Sequence, residues 1–223
     1  GGDPLGAVYS RYANAKEHQT SQPVCLVHRL MPVEIAREAF AVCESCHADL
    51  RLFSDGYACT DARSIRLAAA RAAQKDSTEA RQPNDGRFTI LRDAAEWMSR
   101  HAAEIEKLCV FFETAEQASA ALPRFRAVPA VEIVQGSPKN VEVTAAGVDK
   151  GEALRALADL LGIDHAATLA VGDSENDRAM LEKAGVAAVM ANGIPAVKAL
   201  ADLVSTADCD HDGVAEILEK LGV

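Results

Sequence analysis

The sequence predicts an α/β protein built from two unlike parts that meet near residue 144. From residue 144 onward, short and wholly apolar strands alternate with helices. That rhythm belongs to βα units and to a parallel sheet covered on both faces. Before residue 144, strands and helices follow one another irregularly, as in a small α+β unit. Polar residues of the later part stand directly after a strand or at a helix start, where parallel α/β sheets bind their ligands.

In the first part, "VEIAREAFAVCESCHADL" predicts a helix from Pro32 to about Ala48, with proline in its first turn. "DLRLFSDGYACT" (49–60) reads as two strands turning at Asp55-Gly56. "DARSIRLAAARAAQ" (61–74) is a helix and "RQPNDGR" (81–87) an exposed loop. "KLCVFFE" (107–113) is a strand and "TAEQASAALPRF" (114–125) a helix broken at Pro123, and "AVEIV" and "NVEVT" are two more strands. In the second part, helix "KGEALRALADLLG" leads to strand "ATLAVGD" and helix "ENDRAMLEKAG". Strand "VAAVMA", helix "IPAVKALA", strand "DLVST" and helix "GVAEILEKLG" complete it. Gly162, Gly185 and Gly222 stand where helices should end.

Thirty-three acidic residues against twenty-three basic ones leave a net charge of −10, which disfavours a nucleic-acid or anionic-membrane surface. No apolar run is long enough to span a bilayer, and the opening "GGDPLGAVYS" does not read as a secretory signal. A cytoplasmic protein is therefore expected. The six cysteines (25, 43, 46, 59, 109, 209) are scattered through a chain too large to need a disulfide framework. "CESCH" (43–47) matches a haem-attachment pattern, but Ala36, Ala39, Phe40, Cys43, Cys46 and Leu50 form one apolar helical stripe. Core packing is the simpler account, and zinc lacks a second cysteine pair at ligand spacing.

"LAVGDSEND" (169–177) places Asp173 just past a buried strand, after Gly172, with Ser174, Glu175, Asn176 and Asp177 opening a helix. Acids and serine at a helix start can simply cap it. Alternatively, their carboxylates hold a hard cation such as Mg²⁺ beside a phosphate. Lys150 tips the balance, because it opens a helix where the dipole disfavours a cation and welcomes an anion.

"DKGEALRALADLLGI…TLAVGDSENDRAMLEKAGVAAVMANG…VKALAD…DGVAEIL" resembles the carboxyl-terminal half of a haloacid dehalogenase (HAD) superfamily phosphatase of the Cof-like subgroup. The resemblance implies half of a Rossmann-like parallel-sheet core (144–223) and an α+β, C2-type cap (13–143), with residues 1–12 as a link to the core. It implies a phosphomonoester hydrolase using Mg²⁺, with small phosphorylated metabolites such as sugar, flavin or pyridoxal phosphates as substrates. By the same resemblance, Lys150 neutralises the phosphoryl group, Asp173 is a Mg²⁺ ligand, and Asp177 supports that site by binding the metal or orienting its neighbours. Asn176 and Asn192 face the phosphate or shape its pocket. Relatives usually carry alanine where Gly193 stands.

The family reaction also needs a D-x-D-G-[TS] loop, whose first aspartate attacks phosphorus and whose second protonates the leaving oxygen. The D-x-D sequences present, Asp208-Cys-Asp210 and Asp210-His-Asp212, do not directly follow an apolar run, and Val214 replaces the small hydroxyl residue. A chain truncated at its amino-terminal side is the resulting expectation, and a HAD-like binding module without a nucleophile is the alternative. "DCDHDGVAEILE" (208–219) also matches a calcium-loop pattern, but a strand precedes it and four residues follow it. It is expected to start the last helix, with Asp212 as N-cap.

Overall fold

The computed structural model describes residues 28–74 and 88–222. The expected loop 81–87, the link at 1–12 and Cys25 lie outside the described residues.

Helix α1 (Val33–Ser45) follows Pro32, whose carbonyl accepts the Ala36 amide at 2.9 Å. It buries Ala36, Ala39, Phe40 and Cys43 of the expected stripe, but it ends at Ser45 and not near Ala48. Cys46 is therefore its half-buried C-cap, and Leu50 is buried from the next strand. Burial above all pushes the Cys43 thiol well above its ordinary range, and the Cys46 thiol donates to the Val42 carbonyl. Both cysteines thus belong to the packing of a helix end.

Strands β1 (Asp49–Ser54) and β2 (Tyr57–Asp61) turn at Asp55 and Gly56, both with positive φ (50° and 73°), as tight hairpin turns require. Helix α2 (Ala62–Gln74) leads on, and strand β3 (Phe88–Leu91) and helix α3 (Ala94–His101) follow the undescribed segment. Neither β3 nor α3 is among the elements expected from the sequence. Strand β4 (Ile105–Phe111) begins and ends two residues before the expected span.

Helix α4 (Ala115–Arg126) runs through Pro123 instead of breaking there. A full Thr114–Gln117 capping box secures its start, and the wholly buried Phe125 fastens its last turn against the core. Those anchors outweigh one missing N–H bond. Strands β5 (Val131–Val134) and β6 (Asn140–Ala145) complete a sheet of order β3-β2-β1-β4-β6-β5, antiparallel except for the β2–β3 pair. Its register lines up Leu50, Val110 and Val141, then Leu52, Leu108 and Val143, on one buried face. The opposite face carries Arg51, Cys109 and Glu142 in one row and Phe53, Lys107 and Thr144 in the next.

The second sheet contains β7 (Leu169–Gly172), β8 (Val186–Val189) and β9 (Leu203–Val204), all parallel, in the order β7-β8-β9. Helices α5 (Lys150–Leu161), α6 (Arg178–Lys183), α7 (Pro195–Lys198) and α8 (Gly213–Leu221) alternate with its strands. Gly162 and Gly222 end α5 and α8 in the left-handed conformation (φ 67° and 74°), as expected. Gly185 does not end α6, whose C-cap is the extended Ala184. It is glycine because a Cβ there would lie 2.2 Å from the Ala166 carbonyl oxygen.

At the start of α8, Asp212 occupies the N-cap position but its side chain makes no capping bond, since its backbone is left-handed (φ 59°). Glu216 in the first turn of α8 accepts the amides of Thr206 and Ala207, which ties the helix to the loop after β9. Among the described residues, no helix is long and apolar enough to cross a membrane.

Candidate active site

The carboxyl end of β7 and the first turn of α5 bring Lys150, Asp173 and Asp177 together. Asp177 folds back from the turn before α6 onto the end of β7. Its Oδ2 accepts the amides of Asp173 (3.0 Å) and Ser174 (3.2 Å), and its Oδ1 accepts the Lys150 ammonium at 2.6 Å. Gly172 makes this fold possible, since a Cβ there would stand 2.5 Å from the Asp177 Cβ. The tight turn expected at Gly172 is thus a matter of room for a carboxylate. The Asp177 side chain is 9% exposed, whereas that of Lys150 is 49% exposed. Burial alone pushes the Asp177 carboxyl up, but Lys150 and the two amides outweigh it and hold it below the usual carboxylate range.

Asp173 is placed differently. Its Oδ2 accepts the Asn192 amide at 2.8 Å, and its Oδ1 has no partner among the described residues. Asn192 in turn accepts the Cys209 amide on its Oδ1 at 3.0 Å, so the loop after β9 fixes the orientation of the Asn192 amide. The Asp173 carbonyl accepts the Ile194 amide, which ties the strand end to the start of α7.

Asn176 accepts the Ser174 hydroxyl at 2.9 Å. Its amide also abuts the first sheet: a Cβ on Gly136, in the β5–β6 loop, would stand 2.8 Å from Asn176 Nδ2 and 3.2 Å from Glu142 Oε1. The polar face of the first sheet therefore begins beside this loop. There Lys107 pairs with Glu142 at 3.1 Å and lies 4.4 Å from the centre of the Phe53 ring.

Lys150, Asp173, Asp177, Asn176 and Asn192, all named from the sequence, thus gather at one sheet end. Ser174 was noted only as a helix-start residue, and the Cys209 amide and Gly136 were missed. No local pattern marks the last two, because each meets the site from a distant segment.

No cluster of three or more metal-capable side chains occurs among the described residues. The donor set differs between the two candidate carboxylates. Asp173 keeps an oxygen unengaged among the described residues, whereas both oxygens of Asp177 are taken by Lys150 and the backbone. One carboxylate oxygen suits a magnesium ion that takes its remaining ligands from water and a phosphate.

Comparisons with known proteins place the chain in a family. A sequence profile of haloacid dehalogenase-like hydrolases matches residues 15–218. Phosphatase YwpJ of Bacillus subtilis is 36% identical over 106 residues, covering 48% of this chain and 37% of that protein. The 5-amino-6-(5-phospho-D-ribitylamino)uracil phosphatase YcsE of Bacillus subtilis is 39% identical over 88 residues, covering 40% of this chain and 35% of that protein. The matched segment therefore spans just over a third of the length of these curated relatives. The solved structure of a haloacid dehalogenase-like hydrolase from B. subtilis superposes with a TM-score of 0.73 at 25% identity, covering 87% of this chain and 72% of that one. With the profile spanning most of its length and the fold shared, the chain belongs to the haloacid dehalogenase-like hydrolases.

Proposed function

We propose that this chain contributes the Lys150, Asp173 and Asp177 part of a Mg²⁺-dependent phosphomonoesterase that acts on small phosphorylated metabolites. The observation that carries the reading is the Lys150–Asp177 bond beside a partly free Asp173, at the carboxyl end of a parallel strand. Relatives named as phosphatases support the reaction class.

In this reading Asp173 would hold Mg²⁺, which would supply charge neutralisation at a phosphoryl oxygen. Asp177 holds the Lys150 ammonium in place and keeps the strand-end turn closed. Lys150, half exposed, turns toward the phosphoryl oxygens and offsets the charge that builds on them in the transition state. Asn192 orients the Asp173 carboxylate, and Asn176 lines the phosphate side. The attacking carboxylate belongs to a D-x-D-G-[TS] loop, a sequence that residues 1–223 do not contain. Attack by that carboxylate forms an aspartyl-phosphate as the leaving alkoxide takes a proton, and water then cleaves the acyl-phosphate. The residues of the first sheet form the cap above the leaving group.

Residues 1–223 alone are expected to turn over little p-nitrophenyl phosphate. In a protein that also carries the nucleophile loop, Lys150→Ala and Asp173→Ala should each lower turnover by roughly 100-fold or more. Retained activity in either variant overturns the assignment. The absent loop also fits a phosphate-binding module without turnover. A phosphatase assay of the full-length gene product separates the two readings: turnover lost in Asp173→Ala supports the enzyme, and phosphate binding without turnover supports the module.

A further inference from the structure

The first turn of α5 is gripped from both sides of Lys150 by a single face of α6. Lys183 Nζ reaches both oxygens of Asp149 (3.2 and 3.1 Å) and Glu152 Oε1 (2.8 Å). Four residues earlier in α6, and so on the same face, the Ala179 carbonyl lies against Gly151, where a Cβ would meet its oxygen at 2.2 Å. Asp149, Gly151 and Glu152 are thus all tied to α6, and Lys150 stands among them. Asp149 is already the N-cap of α5, accepting the Glu152 amide at 2.7 Å. Capping requires no cation, so Lys183 does something else.

The chemistry of the neighbourhood suggests what. Lys150 lies between two residues, Asp149 and Glu152, that both bind the Lys183 ammonium, so the backbone that carries Lys150 is held against α6 on either side. Lys150 itself points away from this contact and pairs with Asp177. Lys183 and Asp149 are partly buried, with side chains 24% and 20% exposed, whereas Glu152 is 53% exposed, so the Asp149 contact is the more sheltered of the two. The Lys183 ammonium is held above its ordinary range, first by its bond to Glu152.

We propose that Lys183 is a positioning residue: through Asp149 and Glu152 it clamps the start of α5 to α6, so that Lys150 faces Asp177 and the phosphate. The proposal rests on Lys150 being a phosphate ligand. NMR titration of residues 1–223 with inorganic phosphate and Mg²⁺, following the amides of Gly151 and Ser174, tests both layers. Lys183→Met should weaken phosphate binding by roughly three- to tenfold, and Lys183→Arg should restore it to within about twofold. In a Lys150→Ala background, Lys183→Met should cost nothing further.

An unchanged affinity in Lys183→Met, or an equal loss with and without Lys150, overturns the positioning role. If Lys183→Met does not fold, Lys183→Gln serves the same comparison. Wild-type protein without phosphate-induced shifts, or with shifts that survive Lys150→Ala, overturns the underlying site assignment and the proposal with it.

Discussion

The two sheets are held together by different physics. Around the first, one continuous apolar cluster runs from Met31 through Leu52, Leu108 and Phe125 to Val143. Around the second, the buried hydrophobics are mostly alanine and valine in two small groups, and Leu157 and Leu160 of α5 stand 44% and 57% exposed. The chemistry is distributed the other way: every candidate charged group belongs to the thinly packed second region. There, close glycine contacts and charge-assisted hydrogen bonds set positions that burial sets elsewhere. A site made of polar contacts can be lost without unfolding, and a core made of apolar ones can be weakened without touching the chemistry.

Phe125→Ala gives the largest expected effect on that division. Removing a wholly buried aromatic ring should cost about 3–5 kcal/mol in chemical denaturation. Below the transition, phosphate-induced amide shifts at Gly151 and Ser174 should persist. Their disappearance in a folded Phe125→Ala protein would show that the first core also holds the site.

Gly151→Ala probes the converse. Its methyl group overlaps the Ala179 carbonyl and must push α5 from α6, at a cost of roughly 1–3 kcal/mol. Phosphate binding should fall by more than this modest loss of stability implies, and binding that stays intact would contradict the role of that close approach.

The smallest effect concerns pH. Lys220 first, then the amides of Thr206 and Ala207, hold the Glu216 carboxyl at about 2, against an ordinary value of 4.5. A folded-state value below the unfolded one stabilises the protein fully above pH 4.5, and that contribution is lost as the pH falls toward 2. The Tm gap between wild type and Glu216→Gln should therefore be present at pH 6, shrink between pH 4.5 and 2, and vanish below. A gap that widens on acidification would refute this sign.

The second region was more legible in the sequence than the first, for a physical reason. Buried parallel strands such as "LAVG" and "VAAV" are apolar on both faces, and the polar residues that follow them stand out. Lys150 and Asp173 were visible because each breaks such a pattern. What could not be read depends on contacts between distant segments. Gly185 looks like a helix end until Ala166 is seen against it, and Lys183 looks like a solvated last-turn lysine until Asp149 and Glu152 are seen to meet it. Pro123 and Asp212 show local rules yielding to their surroundings, the first to the burial of Phe125 and the second to a left-handed backbone at the helix start.

The bond from Cys209 to Asn192 has a practical corollary. Cys209 is the exposed cysteine among the described residues, and its amide is two hydrogen bonds from the Asp173 carboxylate. Its thiol is thus a natural attachment point for an environment-sensitive dye, whose signal would follow the filling of Asp173 from a position that leaves Lys150 and Asp177 unmodified.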